Sequence, residues 1–110
     1  MNRMVTINNK NIDQKLEIAS MTKIMTAYTC CKIMFEDMSC ANINPKKVYF
    51  RASAFASRIK GTTAHIKEGF RYSVYDLLMG LMMPSGNDAS LVLAENFGRY
   101  LVIDSCRNSF

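Results

Sequence analysis

Residues 73–89 constrain the fold most tightly. Ser73-Val74-Tyr75-Asp76 has the form of a capping box, in which the serine hydroxyl accepts from an early helical N–H while Asp76 reaches back to Ser73. Val74, Leu77, Leu78, Leu81 and Met82 then recur at helical spacing and form one apolar face. Pro84 stops the run, because it has no amide proton and restricts the residue before it. Asp88 can cap a further helix through Leu91, Val92 and Ala94, which is expected to stop at Gly98. Pro84-Ser85-Gly86-Asn87 is therefore a tight connection between two helices, able to project a hydroxyl and an amide into a cleft.

A third helix is expected from Ser20 to about Met38. Met21, Ile24, Tyr28, Cys31 and Phe35 supply its apolar stripe, which Ile33 and Met34 widen. Strand signals are weak: Met4 to Ile7 as an edge, followed by a turn at Asn8 to Asn11, and Val48 to Phe50 after a turn at Asn42 to Pro45. A loop around Gly61 and Gly69 follows. At 110 residues there is room for one domain with one core. The expected class is α+β and predominantly helical.

Composition excludes several functions. A net charge of +5 is spread from Arg3 to Arg107 with small clusters at Lys46, Lys47 and Arg51 and at Arg58 and Lys60, so it reads as a solvated basic face. Tyr49, Phe50 and Phe55 lie among these charges without any nucleic-acid-binding module around them, and no nucleic-acid partner is expected. Cys30, Cys31, Cys40 and Cys106 lack metal-ligand spacing and read as free thiols, with no metal expected. The first residues lack the long apolar stretch of a signal peptide, and Leu77 to Met83 is too short for a transmembrane segment.

The chemistry lies in two short motifs. A serine hydroxyl becomes a nucleophile when a base takes its proton, and in Ser20-Met21-Thr22-Lys23 the lysine stands one helical turn away on the same face. A site in the first turn also has free backbone N–H groups and the positive end of the helix dipole to stabilise an oxyanion. Taken alone, the spacing fits a helix cap with a solvated lysine better, and Ser57-Arg58-Ile59-Lys60 repeats it without a helical stripe behind it. Ser85-Gly86-Asn87 changes the balance. Ser85 can pass a proton between Lys23 and a leaving group, and Asn87 can hold the lysine and a substrate carbonyl. A Ser-His-Asp triad would have to use His65, the only histidine, whose loop position gives it no support.

Together, Ile18 to Tyr28 and Tyr75 to Ala89 resemble the serine D-Ala-D-Ala carboxypeptidases, the low-molecular-mass penicillin-binding proteins. The resemblance extends through Ala52 to Gly69 and covers roughly residues 4–98. It implies the helical lobe of a β-lactamase/transpeptidase-like fold with little of the antiparallel sheet. It further implies Ser20 as nucleophile, Lys23 as general base, Ser85 as relay and Asn87 as a substrate-positioning group, without a cofactor. The implied partners are a peptide ending in D-Ala-D-Ala, cleaved through an acyl-serine, or a β-lactam that mimics it.

The family's Lys-Thr-Gly strand motif does not occur, and Lys60-Gly61-Thr62 has similar letters in another order and place. The pattern also lapses after Gly98. Residues 1–98 are accordingly expected to be a partial catalytic domain and 99–110 a divergent tail, making the chain a fragment, a truncated product or a degenerate relative. The family works outside the cytoplasm, whereas this sequence displays no export signal. The alternative function is a catalytically silent helical module that binds a partner through uncovered apolar surface.

Overall fold

The computed structural model describes residues 4–16, 18–37 and 43–108. A 3-10 turn, Ala19–Met21, leads into helix α1, Thr22–Lys32, whose end loosens into a π-helical turn, Ile33–Asp37. Strand β1, Tyr49–Arg51, and the short helix α2, Ala54–Ser57, follow. Strand β2, Arg71–Ser73, then runs directly into α3, Val74–Met82, and α4, Asn87–Asn108, completes the described chain. Among the described residues no helix is long and apolar enough to cross a membrane.

Local signals explain several boundaries. The Ser73 hydroxyl accepts from the Asp76 N–H at 3.0 Å and donates to Asp76 Oδ2 at 2.7 Å, so the expected cap forms but the carboxylate meets the hydroxyl. Ser53 caps α2 by accepting from the Ala56 N–H at 3.0 Å. The two strands form an antiparallel ribbon with Tyr49 opposite Ser73, Phe50 opposite Tyr72 and Arg51 opposite Arg71. It extends into the adjoining backbone, where the Ala52 N–H donates to Phe70 O at 3.0 Å.

The core lies where α3 and α4 meet, with α1 against them. Leu77, Leu81, Val92 and Leu93 have no exposed surface, and Phe97 meets Phe50 of the ribbon edge-on at 5.0 Å between ring centroids. This contact fixes the ribbon on α4 and thereby sets where α3 begins.

Three expectations are corrected. Residues 4–7 form no strand, and the nearby turn is centred later, where the Gln14 N–H donates to Asn11 O at 3.0 Å; among the described residues the sheet pairs β1 with β2 alone, and residues 4–7 join neither. The expected loop around Gly61 and Gly69 is present between α2 and β2. Helix α4 runs straight through Gly98, because one glycine costs a helix only about 1 kcal/mol and Arg99 to Ser105 are all compatible with continuation. From the 3-10 turn through α1 to the π-helical turn, Cys30 and the expected Ile33 and Met34 face inward, whereas Met21, Ile24, Tyr28 and Phe35 of the expected stripe are 65%, 55%, 60% and 61% exposed. The turn near Pro45 is present, with the Lys47 N–H donating to Asn44 O at 2.9 Å. The expected helix end at Met38, the start of that turn at Asn42 and Cys40 lie outside the described residues.

Candidate active site

Ser20 sits in the 3-10 turn immediately before α1, after Ala19, whose φ of 46° lies in the left-handed region. Its hydroxyl does not cap the helix: neither helical start is capped by a side chain. Instead Ser20 Oγ faces Lys23 Nζ at 3.5 Å, the outer limit of a hydrogen bond. One turn of helix thus presents hydroxyl and amine to each other.

From the other side, the loop between α3 and α4 brings Ser85. Lys23 Nζ donates to Ser85 Oγ at 2.9 Å and to Ser85 O at 2.7 Å. Both oxygens can face the same amine because Ser85 adopts φ 57°, a conformation unfavourable for a residue with a Cβ. Strain of this kind persists only where surrounding contacts over-determine it. Here the Thr62 hydroxyl also donates to Ser85 O, and the Asn87 N–H donates to Thr62 O at 2.8 Å. The segment around Thr62 therefore holds the loop from behind.

Asn87 shares with Ser20, Lys23, Thr26 and Ser90 a cleft of ≈ 390 Å³. Its amide nitrogen donates to Lys60 O at 3.1 Å, with no bond to Lys23, so its carbonyl oxygen is free for another partner. Gly61 makes this approach possible: a Cβ there would lie 2.4 Å from Asn87 Nδ2, and its φ of 104° already requires glycine.

Asp88 is the buried anchor of the arrangement, only 2% exposed. Its Oδ1 accepts from the N–H groups of Ala64 at 2.8 Å and Ala89 at 2.9 Å. Its Oδ2 accepts from the Thr63 hydroxyl at 2.7 Å and the Ile66 N–H at 3.0 Å. Burial pushes this carboxyl's pKa up, but the four donors to its anion prevail and hold it below the ordinary value. Asp88 was expected as a helix cap; it is instead the clamp that closes residues 63–66 over the Ser85 loop.

The structure thus places Ser20, Lys23 and Asn87 on one cleft, and Ser85 meets it only through Lys23. Ser57 ends α2 and returns its hydroxyl to Ala54 O at 2.9 Å, so the repeated Ser-x-x-Lys spacing presents no shared helical face. His65 is exposed, and its N–H donates to the Thr63 hydroxyl at 2.9 Å. Thr62 and the Lys60 carbonyl are additions that spacing could not reveal, since both act through backbone contacts across more than twenty residues.

A family profile for D-alanyl-D-alanine carboxypeptidases matches residues 3–99. The chain belongs to this family. It is 36% identical over 94 residues to a D-alanyl-D-alanine carboxypeptidase of Streptomyces sp. strain K15, covering 84% of this chain and 31% of that protein. DacF of Bacillus subtilis is 34% identical over 87 residues, covering 79% of this chain and 21% of the relative. The crystal structure of the carboxypeptidase DacD from Francisella tularensis superposes with a TM-score of 0.68 at 34% identity, over 81% of this chain and 20% of DacD. The chain therefore spans a fifth to a third of the carboxypeptidases it matches, and its architecture is a helical portion of that fold.

Proposed function

We propose that this chain carries the acylating side of a serine D-Ala-D-Ala carboxypeptidase. Ser20 Oγ attacks the carbonyl of the penultimate D-alanine as Lys23 Nζ accepts the hydroxyl proton. Ser85 relays a proton to the departing D-alanine nitrogen, and water then hydrolyses the ester on Ser20. Asn87 positions the substrate amide through the carbonyl oxygen its contact with Lys60 leaves free. A β-lactam would acylate the same hydroxyl, its ring nitrogen taking the place of the leaving amine.

One observation carries this reading: a single amine reaches the hydroxyls of both Ser20 and Ser85. General-base assistance of this kind is worth roughly 10²–10⁴ in rate. No Lys-Thr-Gly occurs in the sequence to anchor a substrate carboxylate, and losing even one oxyanion donor elsewhere costs about 10²–10³. Acylation by a reactive β-lactam is therefore a more sensitive test than peptide turnover.

The test is intact mass after incubation of the folded chain with a penicillin, beside Ser20→Ala and Lys23→Gln. A stoichiometric adduct that disappears in Ser20→Ala and forms at least about a hundredfold more slowly in Lys23→Gln supports the assignment. An adduct retained by Ser20→Ala refutes it, and a folded chain that forms none does not act alone. The exposed Met21, Ile24 and Tyr28 favour one second reading, a catalytically silent binding module. Ligand binding unchanged by Ser20→Ala, with no turnover by either protein, would select it.

A further inference from the structure

A separate hollow of ≈ 330 Å³ shares no lining residue with the cleft at Ser20. Its walls come from the end of β1, the start of α2, the turn at Gly69 and one stretch of α4. The edge-on contact of Phe50 with Phe97 fixes β1 against α4 beside Arg51 and two residues before Arg99. Backbone bonds hold the wall between them, the Ala52 N–H donating to Phe70 O at 3.0 Å and the Gly69 N–H to Ala52 O at 2.9 Å.

Arg51, Glu68, Glu95 and Arg99 line this hollow, and they do not match one another. Glu68 is taken by Arg58 at 3.3 Å. Arg51 and Arg99 make no ion pair among the described residues, although Glu95 stands one helical turn before Arg99. Arg51 also lies directly opposite Arg71 in the ribbon, a like-charge pairing that destabilises, and its guanidinium reaches over Gly69, 3.9 Å from where a Cβ would stand. Glu95 is only half committed: its Oε1 accepts from the Ser53 hydroxyl at 3.1 Å, and its Oε2 meets no donor among the described residues. Asn96 donates through Nδ2 to Val92 O at 2.8 Å, which leaves its Oδ1 open.

The hollow therefore offers two guanidinium groups as donors and, on adjacent residues of α4, a carboxylate oxygen and an amide oxygen as acceptors. A simple anion would gain from the guanidinium groups but be repelled by Glu95, and a simple cation would meet the reverse. A ligand with both charges on one carbon satisfies both sets. We propose that this hollow binds a free α-amino acid, its carboxylate on Arg51 and Arg99 and its ammonium on Glu95 and Asn96. Both contacts are charge-assisted, and the guanidinium fork matches a carboxylate's two oxygens. The site stands apart from the chemistry assigned to Ser20 and does not depend on it.

The test follows backbone amide signals of the ¹⁵N-labelled chain by NMR during titration with D- and L-alanine, with propionate, which lacks the ammonium, and with ethylamine, which lacks the carboxylate. Alanine of at least one hand should shift the amides of Ala52, Gly69 and Asn96 saturably, and propionate and ethylamine should bind at least about tenfold more weakly, each having lost one set of charge-assisted bonds. Glu95→Gln keeps an acceptor for the Ser53 hydroxyl and removes the charge, so alanine's advantage over propionate should disappear. Arg51→Gln/Arg99→Gln should abolish alanine binding, while Arg51→Lys/Arg99→Lys should retain part of it, which separates lost charge from lost fold. No saturable shift with either alanine, shifts confined to the Ser20 cleft, propionate binding as tightly as alanine to the unsubstituted chain, or alanine binding that survives Arg51→Gln/Arg99→Gln overturns the proposal.

Discussion

Replacing Asp88 by Asn removes one charge and one acceptor from a buried site, so its cost can be worked from the four contacts. An amide placed with its oxygen at the Oδ1 position keeps the bonds from Ala64 and Ala89. Its nitrogen then faces Thr63, whose hydroxyl can turn and accept, and the Ile66 N–H, which cannot. The opposite orientation strands two backbone donors and is worse. One buried N–H thus loses its acceptor, at about 1–3 kcal/mol, and the two surviving bonds fall from charge-assisted to neutral strength. The expected loss is about 2–4 kcal/mol, a fall of about 1–2 M in the urea midpoint at an ordinary slope for this size. Hydrogen exchange at Ile66 should accelerate at the same time. The pH dependence has a definite sign. Because the folded carboxyl lies below its ordinary 3.8, its contribution is complete above that value and disappears as pH falls through the lower folded pKa. Native stability should therefore drop more steeply in acid than that of Asp88→Asn, so the gap between them narrows. A midpoint within about 0.5 kcal/mol of the original, with Ile66 still protected, would refute this account of the clamp.

Gly86→Ala would set a Cβ 2.7 Å from Asp88 Oδ1 and 2.8 Å from Gly80 O, a backbone atom that cannot turn away. A loss of about 1–3 kcal/mol in urea unfolding is expected, together with slower penicillin acylation, and unchanged values for both would contradict the packing. Ala19→Gly should stabilise by about 0.5–1 kcal/mol, relief of the left-handed backbone at φ 46° outweighing the extra freedom of the unfolded chain; any destabilisation in the same assay counts against strain. Cys30 is buried and burial pushes its thiol up to about 11, whereas Cys106 is exposed, so iodoacetamide at pH 8 should label Cys106 long before Cys30 in peptide mass maps. Ile24→Lys on the open side of α1 should leave stability within about 0.5 kcal/mol, while Ile33→Lys on the buried side of the π-helical turn that continues it should prevent cooperative unfolding; similar effects at both would contradict the helix orientation.

Legibility in the sequence followed how each residue acts. Ser73 and Pro84 delimit a helix through their own local chemistry, and both ends of α3 were readable from them. Arg71-Tyr72-Ser73 was not readable as a strand, because three residues with a charge among them carry no alternation and become a strand only when β1 lies alongside. Ser20, Lys23, Ser85 and Asn87 announce themselves by side-chain type and spacing. Thr62, the Lys60 carbonyl and the clamp formed by Asp88 do not, because what matters there is where a backbone oxygen or N–H falls after folding, and every residue supplies those groups.

Helix α1 marks the boundary between the two kinds of information. The inward side of α1 and the π-helical turn that continues it carries Cys30, Ile33 and Met34, yet Met21, Ile24, Met25 and Tyr28 are open to solvent. Periodicity identifies a helix from either stripe, but when both are apolar it cannot assign one to a particular neighbour. Of the expected stripe, Ile33 and Met34 face the core, whereas Met21, Ile24, Tyr28 and Phe35 face solvent. Ser20 lies in the 3-10 turn and Lys23 in the first turn of the helix that follows it. The position suits the proposed chemistry: Lys23 is half-buried against the Ser85 loop, while Ser20 is exposed. One turn thus separates a held amine from an accessible hydroxyl, and the loop behind the amine is held by Thr62 and Asp88, two residues outside the proposed site positions.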